Sequence, residues 1–188
     1  MWGERMQPQA SVRKGYVSGE FLTRTYRISG EVDLHGNPLL DQLNDINALF
    51  ITLERMFISP LLDPATLTGH YPVGEVRKDT LGVVVLNQLR DGLPMREGRY
   101  IGRDHIDRQV LVVVAGFEVL GSIRLHPSVN VPNFVRTTPE DFIPIFNASA
   151  TLAARRSIVF EGGAILVNRK QIEVFCMTEG ASQPGGQP

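Results

Sequence analysis

The side chains with the most chemical potential in this chain are few. His35 and His126 stand 91 residues apart, each closing the same local pattern. A matched pair of imidazoles suggests a metal or proton site. A metal needs three or four converging ligands, however, and no second ligand sits at useful spacing beside either histidine. Both are read as turn residues at strand ends. Asp104-His105-Ile106-Asp107 sets carboxylates beside a third histidine, in the manner of an acid–base site. It falls in a charged connecting stretch, where solvated side chains are the simpler reading. Cys176 is the only cysteine, so no internal disulfide framework exists, and it is read as a small apolar packer in a reducing, cytoplasmic setting. Gly162-Gly163 suits a hairpin better than a phosphate-cradling loop. The expectation is no catalytic, cofactor-binding or metal-binding residue, and no enzyme.

Binding chemistry leaves two candidates. Arg155, Arg156, Arg169 and Lys170, with the arginines between residues 89 and 108, could gather into a phosphate-binding stripe for RNA or a nucleotide. Tyr71, Tyr100 and Phe134 do not interleave with those charges as base-stacking platforms would. The formal net charge of −1 also argues against a dominant nucleic-acid or membrane-surface role. The second candidate is docking on protein. Trp2 and Tyr16 lie in a polar N-terminal stretch, where an isolated tryptophan is costly to leave wet, so both are docking candidates.

The elements that must position these residues come from an internal repeat. Tyr26-Arg27-Ile28-Ser29-Gly30-Glu31-Val32-Asp33-Leu34-His35 returns as Phe117-Glu118-Val119-Leu120-Gly121-Ser122-Ile123-Arg124-Leu125-His126. Alternation from Leu22 to Leu34 predicts a long strand with one buried face, bent at Gly30. The matching strand, from Val113 to Leu125, is apolar on both sides for part of its length and so predicts a cover. After the first copy, Asn37-Pro38 and the leucines that follow predict a short helix. Phe50-Ile51-Thr52-Leu53 then starts a strand whose counterpart is Phe142-Ile143-Pro144-Ile145, with Pro144 predicting an edge or bulge. Leu61 to Gly74 reads as loop. Val83-Val84-Val85-Leu86 is matched with Ala164-Ile165-Leu166-Val167, with a hairpin at Glu161-Gly162-Gly163 before the latter.

Two resemblances follow from these residues. The strand, short turn and strand around Val167-Asn168-Arg169-Lys170-Gln171-Ile172 resembles the end of an Sm-like or SH3-like small barrel. The first copy, from Tyr26 through Leu39-Leu40-Asp41-Gln42-Leu43-Asn44 to Leu53, resembles an uncharacterised bacterial domain family. Its members carry a comparable strand, an Arg-Leu-Ser-Asp-x-Leu-Asn tract and a Phe-Leu-x-Leu strand. Pro38 and Leu40 depart from that tract, and the second copy lacks it. The Sm-like resemblance implies RNA binding, although no residue of a nucleotide pocket can be matched. The second implies no function.

The fold expected is mainly β: two tandem small barrel or sandwich repeats, with one short helix in the first. Residues 1–19 are read as a tail, 20–88 as repeat 1, 89–109 as a linker, 110–177 as repeat 2 and 178–188 as a second tail. The 188-residue chain has no apolar run long enough to span a bilayer. Together these features predict a non-enzymatic scaffold or subunit. Its partner is protein, including copies of itself, engaged through strand edges and tails. An RNA- or nucleotide-binding regulator is the alternative.

Overall fold

The computed structural model describes residues 13–87, 92–93, 105–129 and 133–177. Trp2, Tyr100, Asp104, the arginines at 90, 96, 99 and 103, and the 178–188 tail lie outside the described residues. The chain is mainly β, as the alternation predicts. It contains β1 (Tyr16–Leu22), β2 (Tyr26–Asp33), α1 (Leu39–Asn44), β3 (Phe50–Pro60), β4 (Gly69–Arg77) and β5 (Val83–Leu86). These are followed by β6 (Ile106–Val114), β7 (Phe117–Leu125), α2 (Phe134–Thr137), β8 (Phe142–Leu152), β9 (Val159–Asn168) and β10 (Ile172–Met177). One-turn 3-10 helices at Lys78–Thr80 and Arg169–Gln171 follow β4 and β9.

Where two separate small barrels are expected, the strands form one ten-stranded antiparallel sheet, in the order β10-β6-β7-β8-β9-β5-β1-β2-β3-β4. The sheet is continuous because β5 hydrogen-bonds to β9, pairing Val83 with Val167, Val84 with Leu166, Val85 with Ile165 and Leu86 with Ala164. These are the two stretches whose composition made them look like counterparts. They are partners instead. Both are apolar at every position because both lie mid-sheet with a core against each face, and two-sided burial erases alternation.

Other expectations shift for local reasons. Each expected long strand begins after a hairpin turn, as β2 and β7, with only Leu22 and Val113–Val114 lying on the preceding strand. The first turn lies at residues 23–25, and the second at Ala115-Gly116, with φ of 50° and 85°. Two successive positive φ values fit the tight hairpin turn whose twist matches that of its strands, but its usual signature is Asn-Gly or Asp-Gly. The turn resets the alternation, so Val112, Val114, Phe117 and Val119 are all buried. Tyr16 opens β1 rather than ending a tail, and β6 begins at Ile106, inside the expected linker. β4 runs through Gly69, Pro72 and Gly74, and β9 runs through Glu161-Gly162-Gly163 without a hairpin. A Cβ on Gly162 would collide with the Leu86 carbonyl oxygen, so this glycine permits close approach across the β5–β9 pair. A short helix occurs in the second half as well as the first, since α2 spans four residues. Pro38 occupies the cap position of α1, one residue after the expected Asn37.

The two glycines of the repeat lie in matching surroundings. Register slips between Ser29 and Glu31 where β2 meets β3, and between Leu120 and Ser122 where β7 meets β8. Each slip has an extra residue on the partner strand, with a left-handed residue beside it: Arg55 at φ 49° and Asn147 at φ 46°. A Cβ on Gly30 would meet Leu53 Cβ at 3.2 Å and the Glu54 carbonyl oxygen at 3.3 Å. On Gly121 it would meet Ile145 Cγ2 at 2.7 Å and the Phe146 carbonyl oxygen at 2.8 Å. Past the slip, the register of β7 with β8 runs no further than Phe146, so Pro144 sits where β9 is its paired neighbour.

Candidate functional site

Among the described residues singled out for phosphate, the pairs Arg155-Arg156 and Arg169-Lys170 do not converge. Arg155 and Arg156 occupy the turn before β9, and Arg169 and Lys170 the 3-10 turn after it. A ten-residue strand separates the pairs, roughly 30 Å at strand rise. Arg155 Nη1 donates to the Leu62 carbonyl at 2.7 Å, and Arg156 pairs with Glu118 at 3.0 Å. Lys170 Nζ lies 2.6 Å from Asp141, and Arg169 Nε donates to the Glu140 carbonyl at 2.9 Å. Local acids and carbonyls hold all four.

Tyr16 belongs to a polar cluster over the first bulge. Arg13 stacks on its ring at 3.7 Å and lies 2.7 Å from Glu54. The Tyr16 hydroxyl donates to Glu54 Oε1 at 3.2 Å. Glu31, only 6% exposed, is flanked by Arg13 at 3.5 Å and Arg55 at 3.4 Å. Arg13 holds the Glu54 carboxyl below its ordinary range. The His35 backbone N–H, and then the Tyr16 hydroxyl, do the same for Asp33. The Asp33 carboxylate in turn raises the Tyr16 phenol. Arg13 and Arg55 hold Glu31 and Glu54, and the His35 N–H and Tyr16 hydroxyl hold Asp33, which makes the cluster a clamp on the bulge.

His35 is exposed, 3.5 Å from Asp33, and His126 Nδ1 lies 2.6 Å from Ser128 Oγ. Among the described residues no group of three or more His, Cys, Asp or Glu side chains comes together to hold a metal. Cys176 is exposed on β10, against the expectation of a buried packer. A cleft of about 130 Å³ opens between the end of α1 and the second 3-10 turn, lined by Leu43, Lys78, Asp141, Phe142 and Lys170 among others. The Lys78 ammonium is taken up by the Gln42 and Asp45 carbonyls, at 3.0 and 2.6 Å, and burial lowers its pKa. That lysine ties down the C-terminal end of α1, where a cation meets the negative end of the helix.

The arrangement with most to offer is the seam between the halves and the two outer edges. β5 turns Val83 and Val85 into one core and Val84 and Leu86 into the other. β9 divides Ile165 and Val167 from Ala164 and Leu166 in the same way. Phe142 and Phe146 of β8 sit in the core built mainly by β1 to β5 and α1, while Leu22 and Leu61 sit in the core of the second half. Asn44 of α1 receives the Phe142 N–H at 2.7 Å and donates to its carbonyl at 3.2 Å. The buried Asn168 donates from Nδ2 to the Leu81 carbonyl at 2.9 Å, and its backbone N–H donates to the Gly82 carbonyl at 2.9 Å. Both faces of the seam are dry and its ends are pinned.

The outer edges resemble the seam in composition and lack its cover. Among the described residues β4 pairs with β3 alone and β10 with β6 alone. Val73 of β4 is 57% exposed and Val174 of β10 is 46% exposed, with Phe50, Phe57 and Tyr71 also open to solvent around β4. Pro72 lies on an edge strand, where a missing N–H is tolerated. Docking is expected on strand edges and tails; Trp2 lies outside the described residues, and exposed apolar side chains line both outer strands. No family model matches the chain, nor does any curated protein or solved structure.

Proposed function

We propose that this chain is a non-enzymatic assembly protein, a β-rich subunit that docks through the edges of its sheet. One observation carries the reading: both edge strands present an exposed valine and, among the described residues, an edge with no strand partner, while the same kind of strand pairing, sealed by apolar side chains, already holds the two halves together. A free edge with apolar side chains is a template for another strand. We read each half as one small barrel of the Sm-like or SH3-like kind. Support comes from the shared order of five strands, the paired bulges and the 3-10 turn before the last strand of each half.

The test is the native mass of the purified chain, and of complexes recovered from its host, for the wild type and for Val73→Lys and Val174→Lys. Wild type running above monomer mass, with loss in either edge variant, supports the reading. A monomer that enters no complex dependent on either edge overturns it.

A further inference from the structure

We propose that copies of this chain join head to tail, with β10 of one copy pairing with β4 of the next in the register that β5 keeps with β9. This rests on the assembly reading and names the partner as a second copy.

The two halves correspond at a spacing of 91 residues. Lys78–Thr80 and Arg169–Gln171 are equivalent 3-10 turns, so β4 corresponds to β9 and β5 to β10. The seam inside the chain is therefore the last strand of one half against the fourth strand of the next. The two strands left unpaired among the described residues are the fourth strand of the first half and the last strand of the second. They are the two sides of that same contact, one at each end of the molecule.

Shifting the seam pairs by 91 residues gives the intermolecular register. Val83 opposite Val167 becomes Val174 opposite Val76, and Val84 opposite Leu166 becomes Phe175 opposite Glu75. Val85 opposite Ile165 becomes Cys176 opposite Gly74, and Leu86 opposite Ala164 becomes Met177 opposite Val73. One step further, Glu173 faces Arg77, a pair of opposite charges where the seam has Gly82 facing Asn168. The exposed Val174 and Val73 thus fall at positions that the seam buries completely in Val83 and Ala164.

The same mapping sets a limit on the ladder. Inside the chain, Gly163 donates its N–H to the Asn87 carbonyl, and Gly162 lets β5 approach. Their equivalents on β4 are Pro72, which has no N–H, and Tyr71, which has bulk. The intermolecular ladder ends at Val73 and comprises the four pairs above. It is shorter at one end than the seam and lacks its covalent linkage, so it forms and separates with concentration. Because the two edges differ, the contact is heterologous, and an open assembly keeps one free β4 edge at one end and one free β10 edge at the other until it closes on itself.

The test uses full-length chains with Val73→Lys or Val174→Lys, both at exposed positions, with circular dichroism to verify that each folds. Wild type is expected to self-associate in light scattering. Each variant alone is expected to be monomeric, because every copy in the sample lacks the same edge. An equimolar mixture is expected to give a dimer and nothing larger, since one intact β10 meets one intact β4. Dimerisation by a single variant on its own, absence of a mixed dimer, or a monomeric wild type each overturns the head-to-tail joint. A monomeric wild type whose host complex is nevertheless lost in the edge variants sinks this proposal and leaves edge docking standing. Edge variants that match wild type in both measurements sink both.

Discussion

Gly30 and Gly121 sit at equivalent bulges, yet their neighbours approach them to different degrees. At Gly121 an added methyl would come within 3.0 Å of two side chains and a carbonyl oxygen, whereas at Gly30 its contacts start at 3.2 Å. Gly121→Ala should therefore cost about 1–3 kcal/mol of stability in urea unfolding, and Gly30→Ala distinctly less. Equal costs would mean the two bulges relax alike. The polar clamp beside Gly30 makes a second expectation. Asp33 and Glu54 both have depressed folded values, chiefly through the His35 N–H and Arg13 respectively. A carboxylate held low in the folded state adds stability that is complete above its ordinary pKa and disappears as pH falls through the folded value. The gap in urea midpoint between wild type and Glu54→Gln should be present near neutrality and shrink as pH drops below about 4. Both groups are solvent-facing, so the gap is small and salt-sensitive. None of this was legible beforehand, because Arg13, Tyr16, Asp33 and Glu54 meet only once three strands are paired.

At the scale of elements, alternation identified strands well wherever one face meets water. β3 and the strand runs within β2 and β7 were legible for that reason. It failed where a strand has a core on both faces, as at Val83–Leu86 and Ala164–Val167, and where a turn uses an unexpected residue, as at Ala115. Gly69, Pro72 and Gly74 read as loop and lie in β4, an edge strand that tolerates them, while Gly162 and Gly163 read as a hairpin and lie in β9 against a close neighbour. The candidate edges are accordingly the least legible part of the site: β4 from Gly69 to Gly74 reads as loop. The short helix α1, read correctly from its proline and leucines, has a task its sequence did not reveal. Its last residue, Asn44, holds the start of β8 by two hydrogen bonds across the seam. Asn44→Ala leaves a partly buried backbone pair without partners and should cost about 1–3 kcal/mol. Hydrogen exchange at the Phe142 amide should accelerate by more than the global loss accounts for, and an unchanged Phe142 would contradict the role given to Asn44.

For the whole molecule, a repeat in sequence suggested two units, and the sheet joins them. The joining follows from composition: a strand with apolar residues on both faces has to lie between two cores, and only the other half can supply the second. Urea unfolding should accordingly be a single transition, with midpoints that coincide when followed by circular dichroism and by the loss of protected amides in either half. Two separated midpoints would show that each core stands alone. Among the described residues no helix is long and apolar enough to cross a membrane. In the cleft beside α1 the Lys78, Lys170 and Asp141 side chains are held by neighbouring groups, whereas the two outer strands have one edge each with no strand partner among the described residues.

The interlocked cores also constrain how this chain can change over generations. Val84 and Leu166 face one another with no exposed surface, as do Leu86 and Ala164. A gain in bulk at one member has to be answered by a loss at the other, because a packed interior tolerates exchange of volume far better than addition. At these positions the two halves are obliged to change in concert. Descendants of this chain should show paired replacements across the join, between residues some eighty positions apart in the polypeptide.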